Sequence, residues 1–376
     1  MYVLGFLYIH KIYMRLILSC FLLFTILSFG QLNKPISLEF NYLKGNILPH
    51  KKGLDHLITG HPEGVMLSVL KQSDGSKEWQ KDYNYPEYGA YFLYQDFKND
   101  ILGQNYAAGF QSNFYFLKRN IQFKVASGIA MTTHPYDKET NSKNNAFGSK
   151  FMANINIGLA YKTYFFNKKI AAQTGFFFSH YSNGRTKSPN SGINTINLNI
   201  GLAYNLSTSK INKKDSVVTS IENSKEPIHY NVVVRSGLNE SSVVNSGQHS
   251  FYHIGFFANK KLNKKTTLQL GTELFLSNFY KDFIKYQSIA YPNKQIDANT
   301  DYKRVGVFIG YELFFDKVAV EAQAGYYVYQ PFKFDIPIYD RIGIKYYFNK
   351  KINVGISVKT HGFLAEAFEF NVGTRF

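Results

Sequence analysis

The chain has 376 residues, with 43 Lys and Arg against 26 Asp and Glu for a net charge of +17, and it contains 29 Tyr and 34 Phe. Aromatic content on that scale excludes a disordered chain, which lacks the apolar surface to fold. The single Cys, Cys20, excludes internal disulfides and thiolate metal sites, and one short apolar run at the N-terminus is too little for a helical membrane protein.

That run, 16–29, follows Lys11 and Arg15 and ends in small residues at Ser28 and Gly30. A basic stretch, an apolar stretch and small residues before a cut describe a secretory signal peptide. Residues 1–30 are therefore expected to be removed after Gly30, with Met14 an alternative start. Fourteen residues are short for spanning about 30 Å of hydrocarbon.

Beyond Gln31 the apolar residues recur with period two. Over 151–161, Phe151, Ala153, Ile155, Ile157, Leu159 and Tyr161 share one face, and Asn154 and Asn156 share the other. Sixteen strands are predicted. The first eight lie at 36–45, 64–71, 87–96, 104–116, 121–131, 149–164, 169–182 and 193–206. The second eight lie at 229–238, 249–258, 265–276, 303–315, 317–329, 341–348, 351–360 and 365–376. Many reach the length a tilted membrane strand needs.

Turns after strands 4, 6, 10, 12 and 14 are short and often basic, whereas 46–63, 132–148, 277–302 and 330–340 are long. Short turns on one side with long loops on the other is the pattern of an outer-membrane barrel. Residues 72–86 break it, being long where a short turn belongs. The last strand ends on the aromatic Phe376, with Phe368, Phe370 and Val372 spaced by two. The fold class expected is all-β: a transmembrane antiparallel outer-membrane β-barrel of about 16 strands.

Two echoes raise internal duplication against convergence. Residues 154–161 recur at 197–204, and 166–170 recur at 348–352. The stretch 207–228 is polar, lysine-rich and without period, so it reads as a linker. It separates an eight-stranded section at 31–206 from a second at 229–376. One sixteen-stranded barrel with a periplasmic excursion is the commoner arrangement and the one expected; two tandem eight-stranded units are the alternative.

The segment 176–195 holds the chemistry. His180 and Ser182 are two apart on a strand, so they share a face about 6–7 Å apart. Phe176 and Phe178 mark that face as lipid-facing, and Asn194 joins it from the next strand with Ile196 and Leu198. A serine hydroxyl becomes a nucleophile when a base such as His takes its proton, and a third group must set the imidazole tautomer.

His180-Tyr181-Ser182-Asn183, followed by Lys187, Pro189-Asn190 and Gly192-Ile193, resembles the active-site hairpin of the lipid A 3-O-deacylases, the PagL family. The resemblance covers about 31–206; none is recognised for 229–376. It implies an outer-membrane lipid ester hydrolase with Ser182 as nucleophile and His180 as general base. It makes Asn183 and Asn190 candidates to hold the oxyanion. Arg185 and Lys187 at the hairpin tip could meet lipid A phosphates through charge-assisted bonds.

One departure stands out. The family places a Glu where this chain has Asn194, and 140–214 contains no Asp or Glu. An Asn carbonyl can accept from imidazole Nδ1–H but cannot balance an imidazolium. A working His–Asn variant, an acid from a distant loop, and a site that no longer hydrolyses all stay open. The competing class is a non-catalytic pore or scaffold with a vestigial hairpin.

His249 and His253 are too far apart on a strand to share one ion, so no metal is expected. No nucleotide or cofactor motif occurs. The expected partners are lipid A or lipopolysaccharide and outer-membrane lipids, not nucleic acid.

Overall fold

The computed structural model describes residues 35–206, 227–362 and 364–376. The expected signal peptide and nearly all of the expected linker lie outside the described residues. Among the described residues sixteen strands form, each within three residues of its predicted ends. In the first half they are β1 (Ile36–Leu48), β2 (Glu63–Gln72), β3 (Glu87–Asp96), β4 (Gln104–Phe116), β5 (Ile121–Thr132), β6 (Phe151–Phe165), β7 (Ile170–Ser182) and β8 (Ile193–Asn205). The second half comprises β9 (His229–Glu240), β10 (Gln248–Lys261), β11 (Thr266–Ser277), β12 (Arg304–Phe315), β13 (Val318–Tyr329), β14 (Ile338–Tyr347), β15 (Ile352–His361) and β16 (Leu364–Arg375).

The strands close as two barrels of eight, not as one of sixteen. β8 pairs antiparallel with β1 over Ser37↔Asn205 to Leu48↔Asn194. β16 pairs with β9 over Phe370↔Ser236 to Arg375↔Asn231. The single sixteen-stranded barrel expected above is thereby replaced by its tandem alternative. The physical reason lies inside. An eight-stranded lumen is just wide enough for side chains to fill, and these inward faces carry the groups to fill it.

In the first barrel Glu39 accepts from Lys124 at 3.1 Å and Lys162 at 2.8 Å. In the second, Arg235 meets Glu273 at 2.9 Å, and Arg341 meets both Glu273 and Glu369 at 2.7 Å. All seven of these side chains are buried. Each points inward from its strand, where an opposite charge across the lumen offsets desolvation. Both lumens are occupied by such networks, which weighs against the pore reading.

Outward faces are apolar. Along β7, Phe176 is 60% exposed and Phe177 is 1% exposed, so even-numbered residues face out. The same parity puts Leu198, Ile200 and Leu202 on the outer wall of β8 and Asn197 and Asn199 in the lumen. Bands of this kind suit hydrocarbon.

Two helices were not foreseen: α1 (Glu78–Asp82) and α2 (Phe279–Ala290). α1 lies in the long connection 73–86, and that connection docks on the second barrel. Tyr83 donates to Phe314 O at 2.9 Å and its ring lies 4.5 Å from that of Phe315. Lys77 pairs with Asp316 at 2.6 Å, and Lys265 Nζ donates to Asp82 O at 2.8 Å. The length that broke the turn pattern is spent on joining the barrels. α2 buries Phe279, Tyr280, Phe283 and Ile284 against Phe332 at the other end of the second barrel.

The echo of 166–170 at 348–352 falls on the β6–β7 and β14–β15 turns, which occupy the same place in the two barrels. The other echo, 154–161 and 197–204, lies on β6 and β8, which flank β7 on either side.

Candidate active site

The site grows from the rim where β7 ends and β8 begins. Three loops of the first barrel turn inward there and bury an apolar plug that includes Leu54, Leu57, Phe97, Leu102, Phe147 and Tyr181. Tyr181, between His180 and Ser182, points into this plug. It packs edge-on against Phe97 at 5.8 Å and donates its hydroxyl to Gln95 Oε1 at 2.7 Å. Because side chains alternate on a strand, anchoring Tyr181 inside fixes His180 and Ser182 outside.

On that outer wall His180 pairs with Asn194 in the β7–β8 register, and its Nδ1 lies 2.5 Å from Asn194 Oδ1. With a carbonyl oxygen accepting, Nδ1 carries the proton and Nε2 keeps its lone pair. The third position foreseen in the sequence is filled by the amide itself. A carboxylate from the second barrel, that of Glu240, does reach the hairpin, but it takes the backbone N–H of Ser188 and not the imidazole.

Ser182 is oriented differently. Its Oγ lies 3.2 Å from Asn190 Oδ1, 2.9 Å from Asn190 Nδ2 and 3.1 Å from Gly184 N. Among the described residues it makes no hydrogen bond to His180. The two nevertheless border one gap. A Cβ built on Gly192 would stand 3.4 Å from His180 Cε1 and 3.4 Å from Ser182 Cβ. Gly192 has φ +70°, which L side chains rarely adopt. Gly192→Ala is therefore expected to fill the gap and press on Tyr181 O, 2.9 Å away. The left-handed backbone adds about 1–2 kcal/mol of strain. Ester hydrolysis by this variant, compared with its unfolding midpoint, separates loss of the gap from loss of fold.

The remaining hairpin residues divide by task. Asn183 spends its side chain on the turn: Nδ2 donates to Ser149 Oγ at 3.0 Å and to Lys187 O at 2.7 Å, and Oδ1 accepts from Arg185 N at 2.9 Å. Asn190 Oδ1 also accepts from Asn183 N at 3.1 Å. Arg185 lies over the Phe279 ring of the second barrel at 5.5 Å, and Lys187 is exposed. Sequence reasoning missed two further basic groups. Lys51 sits near enough to Arg185 that, after the larger effect of partial burial, the guanidinium helps hold its ammonium below the usual lysine range. His50 Nε2 lies 3.0 Å from Ser191 O and ties the β1–β2 loop to the hairpin. No period or spacing marks residues that arrive from a loop 130 positions away.

Below His180 and Asn194 a groove of about 370 Å³ opens on the outer wall between Phe176, Ile196 and Leu198 and the polar Lys44, Asn46 and His61. A second, of about 490 Å³, continues the line with Ile200, Leu202, Tyr161 and Phe40.

In the second barrel, ligand atoms of Asp335, His361 and Glu366 lie within 4.8 Å of one another. Glu366 already receives Arg304 and Lys359, so two cations of the chain occupy the place a metal would need. His253 bridges Glu369 at 2.7 Å and Ser277 at 3.2 Å, but Ser277 is fully buried and also bonded by Arg304 and Glu366. That arrangement is a structural network.

Comparisons with known proteins agree with both halves. The family model described as lipid A 3-O-deacylase (PagL) matches residues 63–203, and that of the acyloxyacyl hydrolase C-terminal domain matches 228–376. The second match supplies what the sequence reading lacked for 229–376. No curated protein matches the chain. Among solved structures, two mutant forms of Rh. blastica porin are 11% identical, with 91% of this chain and 98% or 99% of theirs covered, at TM-scores of 0.21 and 0.20. Acinetobacter baumannii OccAB3 is 8% identical over 92% of this chain and 98% of its own, at a TM-score of 0.21. TM-scores so low carry no argument, and the fold rests on the strand pairing. The family matches support a lipid A deacylase or acyloxyacyl hydrolase function in the outer membrane, with lipid A as the implied substrate. The first barrel of this outer-membrane protein is thus similar to the lipid A 3-O-deacylase (PagL) family, and the second to the acyloxyacyl hydrolase C-terminal domain.

Proposed function

We propose that the protein removes a 3-O-linked acyl chain from lipid A, with Ser182 as nucleophile, His180 as general base and Asn194 as the group that orients it. The 2.5 Å contact between His180 Nδ1 and Asn194 Oδ1 carries this reading. It leaves Nε2 unprotonated beside Ser182, on the wall that faces acyl chains. The hairpin end of the barrel then lies in the outer leaflet.

Rotation about the Ser182 Cα–Cβ bond brings Oγ from Asn190 to His180 Nε2. Such contacts are often loose before substrate binds. Oγ attacks the ester carbon as Nε2 takes its proton. The carbonyl oxygen becomes an oxyanion, and the donors that Ser182 vacates, Asn190 Nδ2 and Gly184 N, are placed to receive it. Collapse breaks the bond to the sugar oxygen, which leaves with the proton from His180. Water then attacks the acyl-serine as His180 takes its proton; collapse breaks the acyl–Oγ bond, Oγ takes the proton back from His180, and the fatty acid is released.

The chain being removed follows the grooves along β8. Asn194 to Leu202 spans about 27 Å at ~3.4 Å per residue, longer than half the hydrocarbon core at about 15 Å. Moving an acyl tail from lipid to this wall gains little, since both are apolar. Selectivity therefore falls to the polar end, where Lys51, Arg185 and Lys187 can take phosphate oxygens.

The test is purified protein with lipid A in mixed micelles, followed by mass. Loss of one 3-hydroxyacyl chain is expected, and an unchanged lipid A mass refutes the proposal. Asn194→Glu supplies the negative charge that the imidazolium lacks. It is expected to raise kcat by about 10-fold or more with KM little changed, as expected for a transition-state interaction. A fall in kcat would show that the amide is needed as it stands.

A further inference from the structure

The hairpin between β7 and β8 is fastened on two sides. Its returning limb is held by its own barrel: Ser191 N donates to Asn145 O at 3.1 Å and Gly192 N to Ala146 O at 3.2 Å. Its tip is held by the second barrel. Glu240 N donates to Arg185 O at 3.1 Å, and Ser188 N donates to Glu240 Oε2 at 2.6 Å. Ser188 Oγ donates to Ser241 O at 2.6 Å, and Gln248 Nε2 to Thr186 O at 2.7 Å. A Cβ on Gly184 would lie 2.8 Å from Phe368 Cβ, so β16 stands directly against the tip.

Glu240 is the unusual member. It is 3% exposed, and among the described residues no cation pairs with it. Its carboxylate is solvated by two backbone N–H groups, Ser188 N from the first barrel and Gly247 N, at 3.1 Å, from its own. A buried anion is tolerated when such donors replace water, so it stays satisfied only while the hairpin tip is docked. The docked residues lead straight to the site. Lys187 O receives Asn183 Nδ2, and two positions after Ser188 comes Asn190, whose amide contacts Ser182 Oγ.

Among the described residues the second barrel has no hairpin of this length between its last two strands. β15 and β16 are joined across 362–363, where β7 and β8 are separated by 183–192.

We propose that the second barrel is a positioning scaffold for the hairpin of the first, and that Glu240 is its positioning residue. It acts through Ser188 on the placement of Asn190 and Ser182. The proposal rests on the Ser182 reading above, and its test has one readout that does not.

The experiment uses the full chain in micelles, with lipid A as substrate. Glu240→Ala is expected to lower kcat by about 10- to 100-fold, the scale of an ångström-level misplacement, and to change KM by less than about threefold. Hydrogen exchange over residues 183–192 is expected to rise while exchange in the β-strands stays as in the parent. Glu240→Gln, which keeps one acceptor oxygen and the volume, should fall between the two in both readouts. It carries the test if Glu240→Ala fails to fold. Exchange over 183–192 that is unchanged in the folded variant overturns the clamp, whether or not lipid A is cleaved. Raised exchange with unaltered kcat overturns the positioning role. Failure of the hydrolase reading is recognised separately, by a parent protein that leaves lipid A intact.

Discussion

Replacing Ser182 with Ala is expected to lower kcat for lipid A deacylation by about 10³-fold or more, with KM close to that of the parent. In the proposed mechanism the hydroxyl supplies the bond-forming oxygen, and His180, Asn194 and the donors around Gly184 cannot substitute for it. What persists comes from substrate binding and oxyanion stabilisation. The fold should barely notice. Asn190 Oδ1 keeps the N–H of Asn183, and losing a hydroxyl contact costs on the order of 1 kcal/mol. The measurement is the initial rate of acyl release beside an unfolding curve. A variant that retains parental kcat would remove Ser182 from the mechanism and, with it, the account of the hairpin.

Arg341→Ala should produce the largest change in stability, about 3–5 kcal/mol of destabilisation. The guanidinium is buried in the second lumen and bonds Glu273 Oε2, Glu369 Oε2 and Gln323 Oε1, each at 2.7 Å. Its removal leaves two buried carboxylates short of a partner. Glu273 keeps Arg235 and Glu369 keeps His253, so the network is weakened and not abolished. Arg341→Lys should restore only part, since one ammonium cannot reproduce a fork that bridges two carboxylates. Urea unfolding in micelles reads both. An Arg341→Ala midpoint equal to the parent's would mean that water or protonation already offsets these charges.

Such networks also weigh against a pore. An eight-stranded barrel whose inward charges meet across the lumen is a filled object, not a conduit. The proposed chemistry is on the outside, where His180, Ser182 and Asn194 stand among Phe176, Ile196 and Leu198.

Much of this was legible in the sequence because it is local. Period two determined where the strands run, and parity alone put His180 and Ser182 on the face of Phe176. The same parity put Asn194 beside Ile196. A side chain cannot change face without a slip in register. The Asn in place of the family's Glu was equally plain, and the structure shows it bonded to His180.

Other features depend on residues far apart in the chain. Whether β8 pairs with β1 or with β9 is a choice between two edges of similar composition, so one barrel and two looked alike until closure was known. α2 escaped because its apolar residues, Phe279, Phe283 and Ile284, lie in a long loop between strands and gain their burial from Phe332. The partner of Ser182 was also hidden, since a turn with positive φ at Gly184 and Gly192 decides that Oγ meets Asn190. Lys51, His50 and Glu240 reach the hairpin only through the closure of one barrel and the docking of another. Periodicity records the environment of a residue along its own strand, and tertiary structure alone brings distant loops to the same rim.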